Sequence, residues 1–238
     1  MEYIHPIKPW IVLIFLLLCL PSCKSASEFQ IKDLAKSDIA QVSEIHMEEA
    51  VSICRELTRK LYLRNPGELA KSKGQTIESR MDQIFRCPVI PENTDMEGKQ
   101  GTEAMLTGLA PDYTGDRVFA VMFGLYTMIR QAYNDRCELF MLDYLDQQRL
   151  YNAARNVEIL VWRLKTRKDE HGTLLLLTNS RGNEAQNLSY ERLFGKLIAT
   201  QDLMAQIVSQ RSGRLIREVV LTAGMAFIPM GALAGPAI

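Results

Sequence analysis

The spacing of apolar residues along the chain predicts a protein built mainly of helices. Apolar residues recur at intervals of three and four, the period of one helical face, over 39–63, 147–165 and 190–211. Residues 118–126 are apolar nearly all round, and a helix that is apolar on every face is buried on every face. The pattern therefore predicts an all-α fold with one central helix.

Breaks in this period predict where the helices begin and end. Asn65-Pro66-Gly67 should stop the first helix, because the residue before proline disfavours the helical conformation. Asp146 and Ser189 stand where side chains cap helix N-termini. The domain is thus expected to hold about five to six helices, built from helical hairpins. The predicted helices are 44–63, 76–86, 116–142, 147–165, 190–211 and a last one from Arg214.

Two segments interrupt the helical pattern. Residues 88–115 contain four glycines and three prolines, which predicts a long loop, with a short helix at 103–109. Residues 173–178 contain four leucines and predict either a short strand or an extension that fills the core. The helical domain is expected to cover 39–218.

The C-terminal segment, residues 219–238, contains twenty uncharged residues. That length can span a bilayer, but its glycines and prolines make a continuous helix unfavourable. One interpretation is a segment that inserts in the membrane. The other is a last helix that packs on the domain to about Phe227, followed by an apolar end that meets a protein partner.

The N-terminus has the features of an export signal. Residues 10–20 are apolar and uncharged, too short a run to span a bilayer as a helix. Their length is typical of the core of a signal peptide. Residues 1–22 are therefore predicted to direct the chain out of the cytoplasm and to be removed.

The sequence Leu20-Pro21-Ser22-Cys23 resembles the lipobox of bacterial lipoproteins. The resemblance implies a signal peptide cleaved before Cys23, acyl chains (palmitate among them) on Cys23, and a polar tether over 23–38. Lys24 in place of Asp implies the inner leaflet of the outer membrane rather than the inner membrane, with the domain facing the periplasm. The alternatives are ordinary secretion with cleavage after Ser27, and an uncleaved anchor.

Five cysteines lie at positions 19, 23, 54, 87 and 137. An oxidising compartment permits disulfides, and the predicted hairpin places position 54 opposite the end of the second helix. Cys54 and Cys87 could therefore form a disulfide, or both could be buried free thiols. Cys137 is left over and is expected to be buried.

Composition and charge exclude several classes of protein. Hydrophobic residues make up 47%, and Lys plus Arg equals Asp plus Glu at 28 each. This balance does not favour disorder or nucleic-acid binding. A membrane, through the acyl chains, and a protein at the C-terminal segment are the predicted partners.

Candidate chemistry is sparse. Only His46 and His171 remain after the signal peptide, and no nucleotide-binding, serine-hydrolase or zinc motif is present. Asp143 and Asp146 could serve as a carboxylate pair for hydrolysis, but a structural corner is the preferred interpretation. Its members are expected to fix the corner by hydrogen bonds: Asp143, Asp146, Arg149, Asn152 and Arg155.

The functional expectation is a lipid-anchored, non-enzymatic binding or scaffolding protein of the cell envelope, with no cofactor and no metal. The alternatives are an accessory subunit of a secretion or transport complex, and an envelope hydrolase that uses Asp143 and Asp146.

Overall fold

A computed structural model describes residues 38–90, 95–139, 145–180 and 184–231. Over these ranges the chain forms seven helices and no strand, which confirms the all-α prediction, although the helices outnumber the five to six expected. Cys23 and Asp143 lie outside the described residues. The helices are α1 (Asp38–Arg64), α2 (Pro66–Ala70), α3 (Ile77–Ile84), α4 (Gly101–Gly108), α5 (Arg117–Ala132), α6 (Gln147–Thr166) and α7 (Ser189–Ser212).

Local signals set the ends of α1 and α3. Asn65 donates its side-chain amide to the Leu61 carbonyl at 2.9 Å, and Pro66 then starts α2. Thr76 caps α3 by accepting from the Ser79 amide, while Ser79 accepts from the Thr76 amide. These paired bonds satisfy backbone donors that a helix N-terminus leaves free. The proline break after α1 is therefore confirmed.

Helix α5 is the centre of the domain, as its all-round apolar sequence predicts. Every residue in it except Gln131 is buried, and α1, α2, α3, α4 and α6 all contact it. The predicted extension to residue 142 is wrong. Asn134 and Asp135 have φ of 58° and 57°, a left-handed conformation that a right-handed helix cannot continue.

Part of the predicted long loop belongs to the core. Helix α4 lies against α5, and the Gly101 amide donates to the Thr127 hydroxyl at 2.7 Å. A Cβ on Gly124 would lie 2.6 Å from both Gly101 O and Met105 N, so the absence of a side chain there permits the close approach.

Helices α6 and α7 pack against each other, and α7 also contacts α1. Asp146 caps α6, as predicted, by accepting from the Gln148 and Arg149 amides at 2.8 and 3.0 Å. Ser189 is not the cap of α7. Leu188 holds that position without a side-chain hydrogen bond. Between the two helices, Lys168 and Leu174 form one isolated antiparallel bridge, and Leu176 is buried in the core.

The predicted last helix from Arg214 does not form. Gly213 has φ of 68° and ends α7 in the left-handed conformation. Residues 214–231, called the strap from here on, are non-helical and lie along α6. Across the described ranges, none of the helices is long and apolar enough to cross a bilayer.

The disulfide joins Cys87 to Cys137, with a Cα–Cα distance of 5.8 Å. The suggested Cys54–Cys87 pair is therefore wrong, and so is the expectation that Cys137 is left over and buried, because Cys137 is bonded and exposed. Helix α3 ends at Ile84, and Cys87 lies beyond it at an exposed position, whereas Cys54 is fully buried. Cys54 is a buried free thiol, and burial raises its pKa to about 12. It stays protonated at neutral pH.

Candidate functional site

A stripe of polar side chains runs along one face of α6. Gln148, Asn152, Asn156 and Arg163 are spaced by four, four and seven residues, which places them on one helical face. Each of the four binds backbone atoms of the strap. This face of α6 is called the dock from here on.

The strap runs along the dock towards the C-terminal end of α6 and then returns towards its N-terminal end. Its ascending limb starts where the Arg217 amide donates to Gln148 at 2.8 Å, and the Val219 amide then donates to the Tyr151 hydroxyl at 3.1 Å. The chain reverses at Gly224, whose φ is 79°, and the Met225 amide donates to the Thr222 carbonyl. The descending limb runs back towards the N-terminal end of α6 and places Ile228 beside Asn156 and Pro229 beside Asn152.

Asn156 is the centre of the dock. Its side-chain amide donates to the Ile228 carbonyl at 2.8 Å, and its side-chain oxygen accepts from the Ile228 amide at 2.7 Å. Both residues are buried. A carboxamide can pair in this way with the backbone of any residue except proline, because it offers one donor and one acceptor. The two hydrogen bonds therefore recognise the peptide unit, while the buried side chain of Ile228 adds apolar contact.

Arg163 binds the strap next to its turn at Gly224. It donates to the Met225 carbonyl at 2.9 Å, and its guanidinium lies 4.9 Å from the centre of the Phe227 ring. Burial lowers the pKa of Arg163, and the nearby charge of Arg167 lowers it further. An apolar cleft of about 230 Å³ lies beside this point, lined by Trp162, Ile159 and Leu221 among others.

A second polar cluster lies at the N-terminus of α5. Asp116 caps the helix by accepting from the Phe119 amide at 2.9 Å, and it accepts from the Tyr62 hydroxyl at 2.9 Å. Its side chain is only 1% exposed. Burial raises the pKa of Asp116, against the opposing effects of these hydrogen bonds and of Arg80.

Arg80 supplies the opposite charge. Its Nε lies 3.4 Å from Asp116, and its side chain is 4% exposed. The guanidinium also lies over the Phe119 ring and donates to Gln83, Ser72 and Asp95. A buried charge is tolerated when it is paired and hydrogen-bonded. These bonds tie α1, α3 and α5 together, which indicates a structural role.

An open cleft of about 480 Å³ borders this cluster and includes Lys73, Gln75 and Tyr113 in its lining. Within the described part of the chain, no three His, Cys, Asp or Glu side chains are placed to hold a metal ion. Five ionisable groups beside the cleft are paired: Arg80 binds Asp116 and Asp95, and Lys71 binds Glu68; Lys73 is exposed. The cleft therefore offers few unpaired charged groups that could bind a ligand or catalyse a reaction.

The predicted corner residues have separate roles. Arg149 contributes its backbone amide to the Asp146 cap, while Asn152 binds Gln148 and the Pro229 carbonyl. Arg155 pairs with Asp202 of α7 at 2.7 Å and with Glu158 at 2.9 Å. Among the described residues, the bonds of Asn152 run to Gln148 and the strap, and those of Arg155 run to Glu158 and α7; Asp143 lies outside the described residues.

The sequence contained a signal for the dock. Helix α6 has polar residues at 148, 152 and 156, on a face that would be expected to carry solvent-exposed charge if it were free. Two asparagines at a spacing of four are unfavourable in a helix interior, because Asn competes for backbone hydrogen bonds. Here they bind the backbone of another segment.

Comparison with known proteins identifies no relative: no protein-family model, curated protein or solved structure matches this chain.

Proposed function

We propose that this protein is a non-enzymatic binding component of the bacterial cell envelope, anchored by acyl chains on Cys23. Its working surface is the dock on α6, which holds extended polypeptide by its backbone. The lipobox-like sequence at 20–23 supports the anchor and a site on the inner leaflet of the outer membrane. The dock supports the binding role.

One observation carries the binding role: the dock makes its hydrogen bonds to backbone atoms of the strap. Asn156 binds both the amide and the carbonyl of Ile228, and Gln148 does the same for Arg217. A surface that binds backbone groups accepts many side-chain sequences, as in proteins that bind extended peptides. The strap is therefore one occupant of a more general peptide-binding surface.

The test uses a full-length variant in which the strap leaves the dock. Phe227→Asp combined with Ile228→Asp places two charges against the dock, where Ile228 is buried. This open-dock variant should bind a labelled peptide of residues 214–231, measured by fluorescence anisotropy. The matched control, Ala223→Asp with Ala226→Asp, changes two exposed strap positions. It should keep its strap docked and bind the peptide much more weakly.

A second comparison ties the binding to the named side chains. Adding Asn156→Ala and Arg163→Ala to the open-dock variant removes three hydrogen bonds to the strap. At about 1 kcal/mol each, affinity should fall at least about tenfold. Adding Lys165→Ala instead, which removes a surface ion pair with Glu191, should leave affinity unchanged. A folded open-dock variant with no affinity for the peptide would refute the proposal.

A further inference from the structure

The dock on α6 is complete without any contribution from the hinge around Gly213, which connects α7 to the strap. Beyond the hinge, the side chains that hydrogen-bond to the strap belong to α6: Gln148, Tyr151, Asn152, Asn156 and Arg163. Nothing in these contacts requires the strap and α6 to belong to the same molecule. A strap from another copy would make the same hydrogen bonds.

The hinge between α7 and the strap is short and exposed. Gly213 turns the chain at φ of 68°, and residues 211–215 are all exposed. The hydrogen bonds described at the turn are local ones, from Ser209 Oγ to the Arg214 carbonyl and from the Arg214 amide to Ser212 Oγ. Glycine adopts positive and negative φ about equally well. The strap can therefore leave in another direction at little cost in free energy.

The strap also carries apolar surface that the single molecule leaves in water. Leu215 is 89% exposed and Val220 is 86% exposed, the two highest values among the large hydrophobic residues described as exposed. Leu215 lies in the hinge, and Val220 lies in the ascending limb just after Val219, which is bound to α6. In an exchanged pair the two hinge segments cross between the copies, where the Leu215 side chain can be covered.

We propose that the strap of one molecule occupies the dock of a second copy, so that two chains pair by reciprocal exchange. This inference rests on the proposed function, because it names the partner that fills the dock. Exchange conserves every dock contact. The closed single chain is therefore favoured only because the short connection holds its strap near its own dock, at an effective concentration of millimolar order. Acyl anchors would confine the copies to one surface and raise their local concentration.

The test mixes two full-length variants, each defective in one half of the contact. The open-dock variant has a free dock and a strap that cannot bind. The dock-loss variant, Asn156→Ala with Arg163→Ala, has an intact strap and a dock that has lost three hydrogen bonds to it. Closure within one chain is disfavoured in both variants, so together they should form a 1:1 complex of twice the monomer mass by light scattering after gel filtration. Each variant alone should stay monomeric at the same concentration.

The outcomes separate this inference from the proposed function. If the open-dock variant binds the free strap peptide but forms no complex with the dock-loss variant, exchange between copies is refuted and the peptide-binding function stands. If it binds neither, both proposals fail. A complex that persists when Asn156 and Arg163 are also replaced in the open-dock partner would place the contact elsewhere and refute the inference.

A measurement on the unsubstituted chain covers the case in which a variant does not fold. Chains of two isotopic masses are concentrated together, diluted, and examined at once by native mass spectrometry. Reciprocal exchange predicts dimers containing one heavy and one light chain, in a fraction that rises with the starting concentration. Gly213→Pro fixes φ near −65° and removes the observed turn, so it should raise the dimer fraction. Monomers alone at every concentration would overturn the inference.

Discussion

The two polar clusters of this molecule use hydrogen bonds in opposite ways. Around Asp116 and Arg80, charged side chains bind one another and tie three helices together. Along α6, side chains bind the backbone of a terminal segment. The first arrangement depends on the identity of every partner. The second rests largely on backbone groups, which is why we propose that its occupant can be exchanged while the domain stays folded.

The largest effect should come from breaking the charged cluster. Arg80→Ala leaves Asp116 buried without its cation, and removing one partner of a buried pair costs about 3–5 kcal/mol. Urea unfolding should show that loss in the free energy of unfolding. Arg59→Ala, which breaks the exposed pair with Glu78, should cost less than about 1 kcal/mol. Equal losses in the two variants would contradict a structural role for the cluster.

A smaller effect on global stability is expected in the dock. Asn156→Ala leaves the amide and carbonyl of Ile228 without a partner, and each unsatisfied group costs about 1–3 kcal/mol while it stays buried. The strap can escape this cost by detaching. Limited proteolysis should therefore cut the variant within 214–231 much faster than the unsubstituted chain, while the remaining domain keeps its helical circular dichroism. Unchanged cleavage would contradict the central place of Asn156.

The pH dependence of the free energy of unfolding should reveal a contribution from the Asp116 cluster. Burial raises the pKa of Asp116, so the folded chain holds this proton more tightly than the unfolded chain. The stability gained from the proton is full below the ordinary pKa of aspartate and is lost as the pH rises through the raised value. As the pH rises through this range, the free energy of unfolding of the unsubstituted chain should fall relative to that of Asp116→Asn. The fall should be about 1.4 kcal/mol for each unit by which the pKa is raised.

Urea unfolding over a series of pH values measures this difference. Asp112→Asn, at an exposed position, serves as the control and should run parallel to the unsubstituted chain. A parallel profile for Asp116→Asn as well would show that the Asp116 carboxyl does not titrate differently in the folded and unfolded states.

The smallest effect tests whether the dock recognises backbone. Arg217 gives its amide and carbonyl to Gln148, while its residue as a whole is exposed. Arg217→Pro removes the amide donor and should increase strap cleavage, reflecting the loss of about 0.5–1.5 kcal/mol. Arg217→Ala keeps both backbone groups and should cleave like the unsubstituted chain. The reverse order would mean that the arginine side chain holds the strap.

Apolar periodicity was sufficient to predict most of the helices. Helix α5 is buried nearly all round, as residues 118–126 indicate, and Asp146 caps α6. The end of α5 was missed because the apolar residues from Leu139 onward favoured a longer helix. Two left-handed residues, Asn134 and Asp135, stop the helix. Asn and Asp adopt this conformation more readily than other non-glycine residues, so the Asn-Asp pair was a signal for the helix end.

The dock and the disulfide depend on contacts distant in sequence. Asn156 and Ile228 are 72 residues apart, and Cys87 and Cys137 are 50 apart. A helical pattern does not say which terminal segment will cover a polar stripe, and the hairpin argument chose the wrong partner for Cys87. The polar stripe on α6 could be recognised as unusual, but its binding partner could not.

The Cys87–Cys137 bond has a consequence for how the domain responds to a peptidase. It closes a ring that contains both α4 and α5. In the chain-entropy model a ring of this size contributes about 4 kcal/mol to stability. A single cut anywhere between the two cysteines leaves one covalent molecule, whose fragments separate on a gel only after reduction. The two fragments thus stay joined after a cut in the connection between α3 and α4 or between α4 and α5, as long as the disulfide stays oxidised.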